Sequence, residues 1–193
     1  MLMSTRLAKI VSDVTSPLVV FPGAIVYFSS VLIEPLSRAV LIAVITLAIV
    51  ELPVLTFILI QVKRGVFSDI HVKEREKRFV VYLIFLVSVL VSIPILRLLL
   101  APTLLVTLLI AGFLVNSANI MINTVTKISA HTSNIAIMSV VLWVLYGNVG
   151  ALVGIALVLV VSWARLVVKA HTLPQVALGI LVGGLTTFLT IIY

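Results

Sequence analysis

The stretch TSNIAIMSVVLWVLYGNVGALVGIALVLVVSWARLVV, residues 132–168, decides the fold of this chain. It is predominantly apolar, and near its middle stands the pair Gly147-Asn148, which is typical of a turn. A helix needs roughly 20 apolar residues to cross a bilayer. The stretch therefore predicts two successive membrane-crossing helices, over 132–147 and 149–168.

The same composition continues over the whole chain. Its 193 residues are 63% apolar and only 10% charged, with a mean hydropathy of +1.39, which indicates that lipid is the solvent. We predict an all-α integral membrane protein: one transmembrane helical domain over 1–193, with about seven spans or alternatively six. The apolar runs are 15–33, 38–62, 79–99, 101–123, 132–147, 149–168 and 175–193.

The basic residues divide unequally between the two sides that seven spans define. The opposite side carries Arg38 and Arg97, whereas the N-terminal side carries the other eleven of the 13 basic residues. They are Arg6, Lys9, Lys63, Arg64, Lys73, Arg75, Lys77, Arg78, Lys127, Arg165 and Lys169. Positive charge gathers on the cytoplasmic side of membrane proteins. We therefore predict a cell-membrane protein with a cytoplasmic N-terminus and a charged cytoplasmic loop over 63–78.

Composition also excludes several classes of site. The chain has no cysteine, so disulfides, thiolate nucleophiles and cysteine metal sites are ruled out. The net charge is +7, which in a soluble protein would suggest a nucleic-acid partner. Here the basic residues gather on one side of the predicted membrane, so we expect no nucleic-acid partner. We also expect no metal and no cofactor.

Two short motifs lie at the ends of apolar runs and hold two of the three histidines. The first is Ser129-Ala130-His131, preceded by Lys127, and the second is Arg165-x5-His171-x3-Gln175. Their spacing resembles the second and third signatures of the type 2 phosphatidic acid phosphatase superfamily, Pro-Ser-Gly-His and Ser-Arg-x5-His-x3-Asp. An even number of predicted spans separates both motifs from the N-terminus, so both fall on the predicted cytoplasmic face.

The resemblance implies a role for each residue. His171 would attack phosphorus and form a phosphohistidine, His131 would protonate the leaving oxygen, and Arg165 would bind the phosphate. Ser129 and the amide near Ala130 would hydrogen-bond the phosphoryl group, while Gln175 would orient His171. The sequence departs from the family at three places, with glutamine at 175 for aspartate, alanine at 130 for glycine and isoleucine at 128 for proline.

The first family signature, Lys-x6-Arg-Pro, has its nearest counterpart in residues 69–79. In a helix there, His71, Arg75 and Arg78 would share a face, and Arg75 and Arg78 could clamp a phosphate with their guanidinium groups. Lys127 would supply the cation that the signature lysine gives in the family. The alternative is that this stretch only contacts anionic headgroups, as polybasic cytoplasmic loops commonly do.

The last predicted helix begins with features that also have a purely structural interpretation. Thr172-x-x-Gln175 is a capping box, so Gln175 could simply start the helix. Gly179, Gly183 and Gly184 form a small face suited to close contact with another helix.

The two motifs and their resemblance to the superfamily predict a metal-independent lipid phosphatase. It would act on the phosphate or diphosphate headgroup of a polyprenyl lipid or glycerolipid. Its partners would be that substrate and the lipid bilayer, and its oligomeric state is left open. One alternative is a catalytically inactive protein that binds or transports lipid phosphates. A metal-dependent membrane transferase is disfavoured, because such enzymes use aspartate clusters and this chain has only Asp13 and Asp69.

Overall fold

A computed structural model describes residues 2–72 and 74–193, except for the side chains of Leu2 and Arg75. All regular structure in the described part of the chain is helical, which confirms the predicted all-α class. The described residues form seven α-helices: α1 (Leu2–Val14), α2 (Pro17–Leu32), α3 (Leu36–Lys63), α4 (Arg78–Leu98), α5 (Thr103–Val125), α6 (Ala130–Val167) and α7 (Leu173–Ile192).

Five of these helices, α3 to α7, are long and apolar enough to cross a membrane. Helices α1 and α2 together meet the same criterion but are bent by 53° at the break between them, so they add a sixth candidate if they count as one span. The first predicted span, 15–33, corresponds to α2 alone. By length and composition the described helices thus give five or six candidates, against the prediction of about seven or alternatively six.

The 38 residues of α6 form a hairpin of two helical arms. Gly147 has φ 58° and ψ −139°, which is not helical. On either side of it the arms are in close contact, since a Cβ added at Gly154 would lie 2.7 Å from Cα of Ser139. In a straight helix these two residues would be about 22 Å apart along the axis. The chain therefore reverses at Gly147, where the turn was predicted.

The chain divides into two compact units. The first unit comprises the residues up to Val20 together with Met121–Tyr193, and the second comprises Phe21–Ile120. The prediction of a single domain over 1–193 stays a prediction.

In the first unit, α6 packs against both α1 and α7. The glycine face predicted on α7 is used at two of its three positions. A Cβ at Gly179 would lie 2.8 Å from the carbonyl oxygen of Ser129, and one at Gly183 would lie 2.8 Å from the carbonyl carbon of Ser133. Gly184 has no such neighbour within 4 Å. Because these two glycines lack a side chain, α7 packs directly against backbone atoms at the beginning of α6.

In the second unit, α3 packs against α4, and the charged stretch leads into α4. The predicted helix containing His71, Arg75 and Arg78 does not form. Val72 has φ 45°, in the left-handed region, and Asp69 Oδ1 accepts a hydrogen bond from the His71 N–H at 2.8 Å. This turn ends before a short 3₁₀ segment, Arg75–Lys77. The shared helical face was therefore wrong, because a local Asp69 turn and the Val72 backbone interrupt it.

Candidate functional site

The first motif is held in place by the start of α6. Ser129 is the residue before the helix, and its hydroxyl oxygen accepts a hydrogen bond from the Thr132 N–H at 3.4 Å. The Ser129 carbonyl accepts bonds from the hydroxyls of Thr132, at 3.0 Å, and Ser133, at 3.1 Å. Serine is favoured here because its side chain satisfies an amide that the first helical turn leaves open. His131 therefore lies in the capped first turn of α6.

His131 is directed at the first helix of the chain. Its side chain is buried, with 7% exposure, and Nε2 lies 3.1 Å from the carbonyl oxygen of Ser12 in α1. Because a carbonyl can only accept, Nε2 must carry the hydrogen in this contact. In the neutral imidazole the lone pair is then on Nδ1, and protonation of His131 takes place there.

Arg165 reaches the same residue from the other end of the hairpin. Its Nη1 donates a hydrogen bond to Ser12 Oγ at 2.5 Å. Arg165 lies in the last turn of α6 and His131 in the first, so a straight 38-residue helix would hold them roughly 50 Å apart. The reversal at Gly147 is what brings both side chains to Ser12.

Ser12 is a site residue that the sequence motifs did not identify. It is 5% exposed and lies one turn from the fully buried Ala8, whereas most of the described α1 positions around them are exposed. The available signal was the i, i+4, i+8 series of small residues Ala8, Ser12 and Ser16, which predicts a helix face in close contact with another helix.

The second motif is organised by the start of α7. Gln175 and Thr172 form the predicted capping box, in which Gln175 Oε1 accepts the Thr172 N–H at 3.2 Å. His171 Nδ1 lies 3.3 Å from the same oxygen. A backbone N–H can only donate, so the amide atom facing it is the oxygen, and Nδ1 of His171 must also be a donor. Neutral His171 therefore has its lone pair on Nε2.

Hydrogen bonds to backbone carbonyls join the first turns of α6 and α7. The Ser129 N–H donates to the carbonyl oxygen of Gln175 at 3.4 Å, and the Thr132 hydroxyl lies 3.2 Å from the carbonyl of Val176. The structure thus connects five of the predicted site residues within the first unit: His131, Arg165, Ser129, Gln175 and His171. We call this set, together with Ser12, the histidine cluster.

Three further residues, Lys127, Arg75 and Arg78, were predicted as phosphate ligands. Lys127 is exposed in the segment between α5 and α6. Arg78 belongs to the second unit, where its Nε donates to the carbonyl of Val72 at 2.8 Å. The Arg75 side chain and all of Lys73 lie outside the described residues. The phosphate-binding roles of Lys127, Arg75 and Arg78 stay predictions.

Hydrogen bonds within the charged stretch favour the ionised form of Glu74. The pKa of Glu74 is lowered by a hydrogen bond from its own backbone N–H and, to a lesser extent, by Ser68 and Lys77. Lys77 Nζ lies 3.4 Å from Glu74 Oε1 and also donates to the carbonyl of Val66. Lys77 is therefore engaged within its own loop.

The histidine cluster combines two imidazoles of defined tautomer with a guanidinium group. The described residues contain no group of three or more His, Asp or Glu side chains arranged to hold a metal ion. Comparisons of the chain with protein-family models, with curated proteins and with solved structures gave no match. The resemblance to the phosphatase superfamily rests on the residues of the two motifs.

Proposed function

We propose that this chain is a metal-independent phosphatase of membrane lipids that works through a phosphohistidine at His171. The observation that carries the proposal is the bond between His171 Nδ1 and Gln175 Oε1. Because this bond occupies Nδ1 with its hydrogen, the nucleophilic lone pair is on Nε2. Nucleophilic catalysis requires a nucleophile that a neighbouring group holds in the correct orientation, and Gln175 would orient His171 in this way.

In the proposed reaction His171 Nε2 attacks phosphorus, and the bond from phosphorus to the lipid oxygen breaks. The departing oxygen takes the Nδ1 proton of His131, which yields a lipid alcohol, or a lipid monophosphate if the substrate is a diphosphate. Water then attacks the phosphohistidine, with neutral His131 accepting its proton, and inorganic phosphate is released. Two histidines of opposite roles suit this sequence, because imidazole exchanges protons near neutral pH.

Arg165 is the proposed phosphate ligand. Its guanidinium is always charged and offers several donors in a fixed plane, which matches phosphoryl oxygens. It lies in the last turn of α6, and Ser12 holds it from α1. Charge developing on the phosphoryl oxygens in the transition state would be stabilised by this fixed cation.

We propose further that the protein is embedded in the cell membrane through seven crossings. Five helices are long and apolar enough to cross, α1 with α2 adds a sixth candidate, and the hairpin at Gly147 supports counting the two arms of α6 separately. The sidedness of basic residues supports a cytoplasmic N-terminus and a cytoplasmic histidine cluster. With so little chain outside the helices, the substrate would arrive from within the bilayer, so we expect lipid phosphates to be preferred over soluble phosphomonoesters.

The test is phosphate release from a panel of polyprenyl and glycerolipid phosphates in detergent with EDTA. His171→Ala should abolish release, whereas His71→Ala, a matched histidine substitution in the second unit, should leave it within about twofold. An alkaline quench with radiolabelled substrate should trap a phosphohistidine in the intact protein, because this adduct survives base. Equal release from the intact protein and His171→Ala would refute the proposal.

A lipid-phosphate binding or transport protein is the second candidate. It is favoured by the bond from the Thr172 N–H to Gln175 Oε1, which explains Gln175 as a helix cap without any catalytic role. Binding of a lipid phosphate by the folded protein, with no phosphate release and no trapped adduct, would decide for this alternative.

A further inference from the structure

Ser12 contacts two proposed site residues through two different atoms. Its carbonyl oxygen lies 3.1 Å from His131 Nε2, and its hydroxyl oxygen lies 2.5 Å from Arg165 Nη1. A guanidinium can only donate, so the Ser12 hydroxyl oxygen is the acceptor. One buried residue of α1 therefore joins the first turn of α6 to its last turn.

The hydroxyl contact restricts Arg165 before any phosphate arrives. A long arginine side chain loses rotamer freedom when it grips an anion, and a guanidinium already held in place loses less of it. A serine hydroxyl holds the group without itself adding a negative charge that would compete with phosphate. The expected consequence is tighter phosphate binding.

The carbonyl contact acts on His131 separately. It keeps the hydrogen on Nε2, so the proton available to a leaving oxygen is the one on Nδ1. This contact uses the backbone and persists when the Ser12 side chain is changed. The two roles of Ser12 can therefore be tested separately, since a substitution changes the hydrogen bond to Arg165 and keeps the backbone contact to His131.

We propose that Ser12 is a positioning residue of the phosphate site, which makes α1 part of the site. This inference rests on the proposed function, because it takes Arg165 as the phosphate ligand. A role in packing alone makes a different prediction, namely that loss of the hydroxyl lowers stability without changing phosphate affinity.

The experiment compares Ser12→Ala and Ser12→Thr in the full-length protein in detergent. The matched control is Thr15→Val, because Thr15 follows directly after α1 and its hydroxyl donates only a local hydrogen bond, to the Val11 carbonyl in the last turn of α1, at 2.7 Å. Affinity for inorganic phosphate is measured from the thermal stabilisation it produces, and KM and kcat are measured on a lipid phosphate. Ser12→Cys, of similar size but a weak acceptor, serves as a second variant if Ser12→Ala does not fold.

Loss of a hydrogen bond to a charged group corresponds to roughly a tenfold or larger change in an equilibrium constant. We expect Ser12→Ala to raise the phosphate Kd about tenfold and to lower kcat/KM by at least as much, because Arg165 also stabilises charge in the transition state. Ser12→Thr keeps the hydroxyl and should therefore keep the phosphate Kd and the kcat/KM of the intact protein. Thr15→Val should also leave both constants unchanged.

An unchanged phosphate Kd in folded Ser12→Ala, or an equal rise in Thr15→Val, would overturn the role of Ser12 while leaving the phosphatase proposal intact. Phosphate binding that depends on Ser12 in a protein without turnover would support Ser12 and overturn the phosphatase. An intact protein that binds no phosphate and releases none would overturn both.

Discussion

His171 Nδ1 and Gln175 Oε1 lie 3.3 Å apart, and the same oxygen accepts the Thr172 N–H at 3.2 Å. One side-chain atom therefore both starts α7 and fixes the tautomer of the proposed nucleophile. In the phosphatase superfamily that the motifs resemble, an aspartate occupies this position. A neutral amide can orient the imidazole, but it adds no charge to stabilise the cation that forms when His171 is phosphorylated.

Gln175→Glu tests this difference with an isosteric change. The carboxylate should keep both hydrogen bonds and strengthen the one to His171, since charge-assisted hydrogen bonds are about twice as strong as neutral ones. We expect phosphohistidine formation, measured by rapid alkaline quench in a single turnover, to become about tenfold faster. Gln175→Leu should slow it by about tenfold or more and cost about 1 kcal/mol of stability through the lost cap. Equal rates in all three proteins would contradict this role of Gln175.

His131 should matter in proportion to how poor the leaving group is. A general acid protonates the departing oxygen, so an alkyl phosphate needs it far more than a nitrophenyl phosphate does. We expect His131→Ala to reduce kcat about 10²-fold or more on a lipid phosphate and less than tenfold on the nitrophenyl ester. His71→Ala provides the matched control and should affect neither substrate. A uniform loss on both substrates would assign His131 to binding or folding.

The sequence predicted the helical class, most helix positions and the turn at Gly147, because these depend on local apolar length and turn residues. It also predicted that Arg165 and His131 belong to one site. The capping box of Thr172 and Gln175 was predicted as a structural interpretation and is confirmed. The turn and the capping box rest on spacing within a short stretch, whereas the pairing of Arg165 with His131 rests on the resemblance of the two motifs to a family.

Ser12 could not be predicted from motifs because its role comes from tertiary contacts. Its partners, His131 and Arg165, are more than a hundred positions away. The prediction for the charged stretch was wrong for the opposite reason, because local contacts overrode a local pattern. The i, i+4, i+7 spacing predicted a shared helical face, but the left-handed backbone of Val72 and the Asp69 turn prevented the helix. Turn formation by Asp competed with helix formation locally.

The α6 hairpin should depend on Gly154. A Cβ there would lie 2.7 Å from the backbone Cα of Ser139, and a backbone atom cannot move aside without separating the arms. Although alanine is the better helix former by about 1 kcal/mol, overpacking costs about 1–3 kcal/mol. We expect Gly154→Ala to lower the thermal unfolding midpoint in detergent and to reduce phosphate binding, because Arg165 and His131 would separate. The control is Gly184→Ala, because a Cβ there meets nothing within 4 Å, and this variant should unfold at the same temperature as the intact protein. If Gly154→Ala also unfolded at that temperature, the result would argue against close packing of the two arms.

The absence of cysteine from the sequence makes the proposed seven crossings directly measurable. Single cysteines at Lys127, Lys169, Asn148 and Leu100 place one thiol in each of four exposed connections. With seven crossings and a cytoplasmic N-terminus, a membrane-impermeant maleimide added to intact cells should label Asn148→Cys and Leu100→Cys. It should reach Lys127→Cys and Lys169→Cys only after permeabilisation. Labelling of Asn148→Cys and Lys169→Cys from the same side would mean that the second arm of α6 does not cross, and the histidine cluster would then need another location relative to the membrane.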